Sequence, residues 1–398
     1  MSRPLSGIPP SPLGLNIAVV SHDVFWPVRG GGGIRVYWAT RLFLSRGHNV
    51  SVIAPFLHGD GLAKVFPDVR IHSIGRITRF SSLKELQYII LMLRSFVCLM
   101  AVRADVIYAQ NVVAGFPAVL AGRLLRIPVV FDMIDLLTGY SKNTFVYRLG
   151  PRFEKWVMKH ADFVIVTSRN LKVLGEAVGV WRLEQVRHGV DLRIFHPRSG
   201  NRKWIVFAGG IEKNDGVLLI PEAAKIILSA GADRRTASSD IRFLFVGEGK
   251  ALPALVRKVR DLGLSDRFEF RGWVEQAELP PILADSRLGL IPSLNVAGTS
   301  YAYPLRSIEC MAAGIPFVAS DLEGIREQTE GSGGGLLFRP GSAEDLANAM
   351  LRLLENPSLS GILGRKGRRW AVRNADWRKN ALRICEICEE TVQKRKSA

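Results

Sequence analysis

The sequence predicts an α/β protein of two doubly wound halves, and three observations carry that prediction. The first is a β–loop–α–β opening: LNIAVV at 15–20, four glycines at 30–33, the helical run IRVYWATRLFLSRG ending at Gly47, and NVSVIA at 49–54. Short apolar runs bounded by turn residues and alternating with helix-length segments are the pattern of a parallel sheet with helices on its faces. The second is that the pattern restarts with KWIVFAGG at 203–210, after a linker-like HPRSG near residue 198. The third is size: 398 residues, 47% apolar and 23% charged, suffice for two domains with cores of their own.

Taken in order, residues 1–14 (MSRPLSGIPPSPLG) hold prolines and no apolar run of signal-peptide length, so they read as a flexible tail and no secretory signal is expected. The first half spans 15–197. After the opening unit come VRIHSI, a helix around 83–102, DVIYAQ at 105–110, the helical AGFPAVLAGRLL, PVVFDMI at 128–134, a helix at about 145–160 and DFVIVTS at 162–168. The run 86–102 is the most apolar, but Arg94 interrupts it and it falls short of the roughly 20 residues a spanning helix needs; it reads as a core helix or an interfacial one. The second half spans 198–372: a helix at 216–230, the strand IRFLFVGEG at 241–249, then RFEFRGWV, RLGLIPS and the stretch GTSYAYPLRSIECMAAGIPFVASD at 298–321. Residues 373–398 form a last helix, roughly Trp377 to Lys394.

A net charge of +18 suits an acidic partner, whether nucleotide phosphate or anionic lipid. Nucleic acid is not expected, because no aromatic–basic recognition motif accompanies the charge. Cys98, Cys310, Cys385 and Cys388 form no disulfide framework and imply a reducing compartment. The CxxC of Cys385 and Cys388 has no second pair to complete a zinc site and reads as helix packing.

Two stretches carry chemistry. Gly31, Gly32 and Gly33 permit close backbone approach of a ligand at a helix N-terminus. In the 298–321 stretch a helix opens at Pro304, so the free N–H groups of Leu305 and Arg306 face outward at the positive end of its dipole. Arg306 and Glu309 lie on one face, a guanidinium for phosphate and a carboxylate for ribose hydroxyls; a salt bridge between the two is the simpler reading. Asp132 and Asp135 fall at a strand C-terminus, where a substrate hydroxyl or a turn would occupy them, and His22 follows the first strand.

From Asn16 onward the chain resembles the retaining family 4 glycosyltransferases (glycosyl transferases group 1) of the GT-B fold. The resemblance rests on GGGGIRVYWATRLFLSRGHNVSV, RHGVDLRIFHP, FLFVGEGK, FEFRGWV, PLRSIECMAAGIPFVASDLEGIRE, GGGLLFRPGSAEDLANAM and the ENP…R…W tail, in this order over nearly the whole chain. It implies two Rossmann-like domains facing a central cleft, an NDP-sugar donor held mainly by the second, an acceptor held by the first, and a last helix crossing back to the first. It further implies a hexosyltransferase that works with retention and without a metal or other cofactor, and no DxD-type pattern is present. The acceptor would be a glycan, glycolipid or lipid-linked precursor, met at the cytoplasmic face of an anionic membrane.

By the same resemblance, His22, Asp132, Asp135 and Glu309 are the catalytic candidates. Gly31, Gly32, Gly33, Gly210, Lys213, Glu248, Trp273, Val274, Tyr303, Pro304, Leu305, Arg306 and Glu309 are the donor-binding ones. The chain departs from the pattern at four places. Tyr301 stands where the first of two glutamates is usual, Gly210 and Asp215 where a phosphate-binding arginine and lysine are usual, and Ile134 where His or Arg is usual. Lys213 is the candidate replacement cation, and a GT-B-fold binding or scaffold protein without turnover is the alternative.

Overall fold

The structure is a computed structural model that describes residues 7–24, 26, 28, 30–55, 65–75, 84–136, 144–230 and 241–397, with backbone alone at 84, 85, 144–147 and 230. Residues 1–6 of the expected tail and residues 231–240 lie outside the described residues. The chain divides into two compact units, Met1–His188 with Trp377–Ala398, and Gly189–Asp376.

In the first unit, β1 (Asn16–Ser21), β2 (Asn49–Ala54), β3 (Arg70–Ser73), β4 (Val106–Gln110), β5 (Val129–Met133), β6 (Phe163–Val166) and β7 (Leu183–Gln185) form one sheet in the order β3-β2-β1-β4-β5-β6-β7. Every pairing is parallel. The central strands are buried nearly throughout, which is why they read as continuous apolar runs rather than alternating ones. The crossovers are α1 (Gly30–Ser45), α2 (Lys84–Ala101), α3 (Asn111–Leu125), α4 (Thr144–His160) and α5 (Arg169–Ala177).

The second unit repeats the plan with β8 (Trp204–Ala208), β9 (Arg242–Val246), β10 (Phe268–Phe270), β11 (Ser286–Ile291), β12 (Phe317–Ser320) and β13 (Gly335–Phe338) in the parallel order β10-β9-β8-β11-β12-β13. Its helices are α6 (Leu219–Ala230), α7 (Leu252–Asp261), α8 (Leu279–Ala284), α9 (Ala297–Tyr301), α10 (Leu305–Ala313), α11 (Glu323–Ser332), α12 (Ala343–Leu354) and α13 (Pro357–Asn374). Both units are therefore Rossmann-like.

The last helix, α14 (Trp377–Lys396), belongs to the first unit. Its Ile384, Cys385, Ile387, Cys388 and Val392 join the core formed by β1, β2, β4 and α1, so the CxxC is core packing. Each fully buried aliphatic side chain of this kind contributes about 1.5–3 kcal/mol. A buried polar network fixes its register: Arg46 forks Glu389 through Nε and Nη2, both at 2.9 Å, and His48 Nε2 lies 2.8 Å from the same carboxylate. His48 Nδ1 accepts from the Leu15 N–H at 3.1 Å, which leaves Nε2 as the protonated nitrogen.

Candidate active site

In each sheet the strand order reverses beside the first strand, between β1 and β4 in one unit and between β8 and β11 in the other. Crossovers leave such a point toward opposite faces, opening a crevice beyond the strand C-termini where ligands bind in this architecture. Of the residues singled out from sequence, His22 and Gly31 to Gly33 follow β1, Gly210 and Lys213 follow β8, and Tyr303 to Glu309 follow β11, while Asp135, Glu248, Trp273 and Val274 follow neighbouring strands.

In the first unit, Ser21 at the end of β1 donates to Gln110 at the end of β4 (3.2 Å), and Gln110 Nε2 donates to the Gly32 carbonyl at the start of α1 (3.0 Å). The glycine loop is thereby tied to the reversal point. A Cβ on Gly32 would sit 1.8 Å from Asp23 Oδ2, so any larger residue there would have to displace that carboxylate. Gly31 is half-buried, and a Cβ on Gly33 would sit 3.1 Å from the Val24 carbonyl oxygen. His22 is buried, its ring edge-on to Tyr88 at 6.1 Å, and its Nδ1 has no hydrogen-bond partner among the described residues. Asp135 is half-buried, and its Oδ1 likewise has none. Burial, and then the nearby Asp23 carboxylate, push the Asp135 carboxyl up to about 7. An acid at such a position exchanges its proton near neutrality.

Asp132 is corrected. At 0% exposure its carboxylate faces the interior, where Arg35, also at 0%, grips both oxygens (Nε–Oδ2 2.5 Å, Nη2–Oδ1 3.0 Å) and the Tyr108 hydroxyl donates to Oδ2. Arg35 Nη1 reaches the Arg187 carbonyl at 3.2 Å, and its guanidinium lies 6.0 Å from the Trp377 ring. Asp132 is fully buried and holds Arg35 and Tyr108 in the interior, so its oxygens face the core and not the loops beyond the strand ends.

In the second unit the loops after β8 and β9 lie on one another. Gly209 N–H donates to the Val246 carbonyl (2.8 Å) and Ile211 N–H to the Glu248 carbonyl (2.9 Å). A Cβ on Gly247, at φ +133°, would fall 2.0 Å from the Gly209 carbonyl oxygen. The helix α10 arrives beside them. Pro304 is its N-cap rather than its first residue, at ψ 135°, and no side chain caps the N-terminus. The N–H groups of Leu305 and Arg306 therefore stand at the positive end of the helix.

Arg306 stacks over Phe207 of β8 at 4.7 Å and pairs through Nη2 with Asp215 Oδ1, while its Nη1 is buried with no partner among the described residues. The predicted bridge to Glu309 is replaced by this pair. Asp215 sits in the short 3-10 turn Lys213–Asp215, and its other oxygen accepts from the Glu212 N–H at 3.3 Å. Gly210 is exposed, its Cβ direction 3.8 Å from Asp215, and Lys213 is exposed on the same turn. Glu248 and Trp273 are exposed, Val274 is half-buried, and Tyr303 is buried.

Glu309 is 7% exposed on α10, and burial pushes its carboxyl up to about 7 against the opposing Arg306 charge. In the unfolded chain it titrates near its ordinary value of about 4.3. The folded state thus binds the extra proton between these values, so the stability linked to Glu309 is present below about pH 4 and lost as pH rises through 7. Glu309→Gln, a mimic of the protonated form, is expected to stabilise the ligand-free protein at pH 8 by about 2–3 kcal/mol and to change little near pH 5. Melting curves at the two pH values check this; equal shifts at both would remove the buried-acid assignment.

Among the described residues one trio, His48, Cys385 and Glu389, has potential metal-ligand atoms within 4.8 Å of one another. Cys385 and Glu389 lie on α14, Glu389 is forked by Arg46, and His48 precedes β2 at the N-terminal end of that strand, so the trio is a structural ion pair. Arg35 and the Asp215–Arg306 pair were not legible from spacing. The acid standing where a lysine is usual was the one signal for the second.

Known proteins resemble the chain at both levels. A family model described as "Glycosyl transferase 4-like domain" matches residues 30–189, and one described as "Glycosyl transferases group 1" matches 202–356. The 2-deoxystreptamine glucosyltransferase of Streptomyces kanamyceticus is 30% identical over 275 residues, 63% of this chain and 67% of that protein. A GDP-mannose-dependent alpha-(1-6)-phosphatidylinositol monomannoside mannosyltransferase of Mycolicibacterium smegmatis is 26% identical over 287 residues, 69% of this chain and 74% of that one. Among solved structures, sucrose-phosphate synthase of Thermosynechococcus elongatus superposes with a TM-score of 0.77 at 19% identity, covering 94% of this chain and 98% of that one. Anabaena HepE in complex with UDP-glucose gives 0.73 at 16%, covering 96% and 100%. These structures share the GT-B fold with this chain.

Proposed function

The chain belongs to the group 1 glycosyl transferases, and from that premise we propose that it moves a hexosyl group from an NDP-sugar to an acceptor hydroxyl, with retention of configuration and without a metal. The observation that carries the reading is the uncapped N-terminus of α10, with Arg306 and buried Glu309 beside the crossed loops after β8 and β9. Backbone N–H groups and a guanidinium suit a diphosphate, and a buried carboxylate suits ribose hydroxyls.

In the proposed reaction the acceptor oxygen attacks the anomeric carbon on the face from which the diphosphate leaves. The C1–O bond to phosphate breaks as the new C1–O bond forms, and the acceptor proton passes to the departing phosphate oxygen. The protein's part is to position the two substrates and hold the developing phosphate charge at α10. In this reading His22 after β1 and Asp135 after β5 orient the acceptor; His22 Nδ1 and Asp135 Oδ1, without partners among the described residues, support it. A lipid-borne acceptor is the favoured class: the mannosyltransferase relative is named for a phosphatidylinositol monomannoside.

A second reading, a binding protein without turnover, draws on the Arg306–Asp215 pair, which neutralises the cation the reaction needs. Release of NDP from a panel of NDP-sugars, with EDTA present, separates the two. We expect turnover on one or two donors, unchanged by EDTA. A strict need for Mg²⁺ or Mn²⁺ would overturn the metal-free part, and donor binding with no NDP release would leave the second reading.

A further inference from the structure

The outer face of α2 takes no part in the chemistry above, and its composition is unlike that of a solvated helix. Leu86, Ile89, Ile90, Leu93, Val97 and Met100 are all exposed, Leu93 at 63% and Val97 at 67%. At 3.6 residues per turn these six fall on one arc of about 100°. Leu91, Ser95 and Leu99 are buried on the opposite side, where α2 packs on α3. The sequence reading left a core helix and an interfacial helix open; the helix has one face of each kind.

We propose that this face docks on an anionic bilayer, with α2 lying along the surface; the docking deepens the reading above, because it rests on a lipid-borne acceptor being the substrate. Three observations point to a bilayer. First, the charge along the stripe is basic: from Leu86 through Ala104 the sequence has two arginines, Arg94 and Arg103, and no carboxylate, with Glu85 and Asp105 just beyond either end, in a chain of net charge +18. Both arginines are exposed, and Arg94 keeps one nitrogen on the Ile74 carbonyl at 3.1 Å. Basic residues at the edge of an apolar helix face reach lipid headgroups while the apolar side chains enter the acyl boundary. Arg76, Arg79 and the Lys84 side chain, also basic, lie outside the described residues.

Second, the helix lies on a membrane rather than across it. Its 18 residues span about 27 Å, Arg94 sits in the middle, and among the described residues no helix is long and apolar enough to cross. Third, the inner side of the same helix reaches the candidate site, where Tyr88 meets the His22 ring at the end of β1. A bilayer on the outer face of α2 therefore stands one helix diameter from the groups placed to orient the acceptor.

The test uses the full chain and two vesicle types, phosphatidylcholine alone and equal parts phosphatidylcholine and phosphatidylglycerol. At moderate salt we expect sedimentation with the anionic vesicles at least about tenfold above the neutral ones, and a loss of about tenfold in the double variant L93E/V97E. The variant should melt as the parent does and release NDP from soluble donor at the parent's rate. Equal sedimentation of parent and variant, or no preference for anionic vesicles, overturns the proposal. So does a dimer of the parent, seen by sedimentation velocity and lost in the variant, with no vesicle binding. Vesicle binding that follows the variant while neither protein releases NDP would support docking and sink the transferase reading instead.

Discussion

Arg35→Met is expected to destabilise the first unit by about 3–5 kcal/mol, because it strands the Asp132 carboxylate in the interior without a counter-charge. Both side chains are fully buried, and among the described residues Arg35 supplies two of the three hydrogen bonds that Asp132 receives. Burial of the guanidinium would by itself favour its neutral form; the Asp132 charge and hydrogen bonds outweigh it and hold Arg35 above its usual range. Burial also raises the Tyr108 phenol, so it remains a neutral donor to that carboxylate. For a unit of this size the loss corresponds to a fall in melting temperature of roughly 6–20 °C. The paired replacement R35M/D132L removes both charges together and should recover most of the loss, since buried ion pairs are commonly replaceable by apolar pairs of similar volume. Thermal and urea melts of the two variants check the prediction. A D132N protein that melts like the parent yet fails to turn over would instead return Asp132 to the reaction.

That pair also marks how far the sequence could be read. The strands and the crossovers were legible because their signals are local: an apolar run, a turn residue, a helix of ordinary length. Arg35 sits in such a run, GGGGIRVYW, and there looks like any polar residue of a helix. Its partner lies 97 residues away, brought to it by the pairing of β1, β4 and β5. Helix spacing suggested Glu309 as the partner of Arg306, three residues on. Folding instead offered Asp215, 91 residues upstream, because β8 runs beside β11 and the turn after β8 meets the start of α10. The faces of α2 were undecidable from periodicity alone: apolar residues surround nearly its whole circumference, and only the packing on α3 shows which of them are left outside.

Arg306 and Asp215 carry the prediction that bears most directly on the donor. Arg306 stands where the first turn of α10 already points N–H groups outward, and one of its nitrogens is buried with no partner among the described residues. A charge-assisted contact from it to a diphosphate is worth about 1.5–3 kcal/mol. Arg306→Ala should therefore weaken NDP binding by about one to two decades. Asp215 works against that contact: it occupies Nη2 and places a negative charge beside the ligand's own. Asp215→Asn keeps an oxygen to accept from the Glu212 N–H, so the turn survives, while the competing charge is gone. Removing one like charge at this range in a partly solvated site is worth about 1–1.5 kcal/mol, so NDP should bind about tenfold more tightly. The two effects should not add, since the gain from Asp215→Asn needs the guanidinium: in R306A/D215N most of it should vanish. Calorimetric titration of NDP into the parent, both single variants and the double variant, each first shown to melt cooperatively, reads all four corners. Affinities unchanged across the set, with stability alone reduced in the single variants, would make the pair a structural clasp between the turn after β8 and α10, and the diphosphate would then have to be held by backbone N–H groups and Lys213.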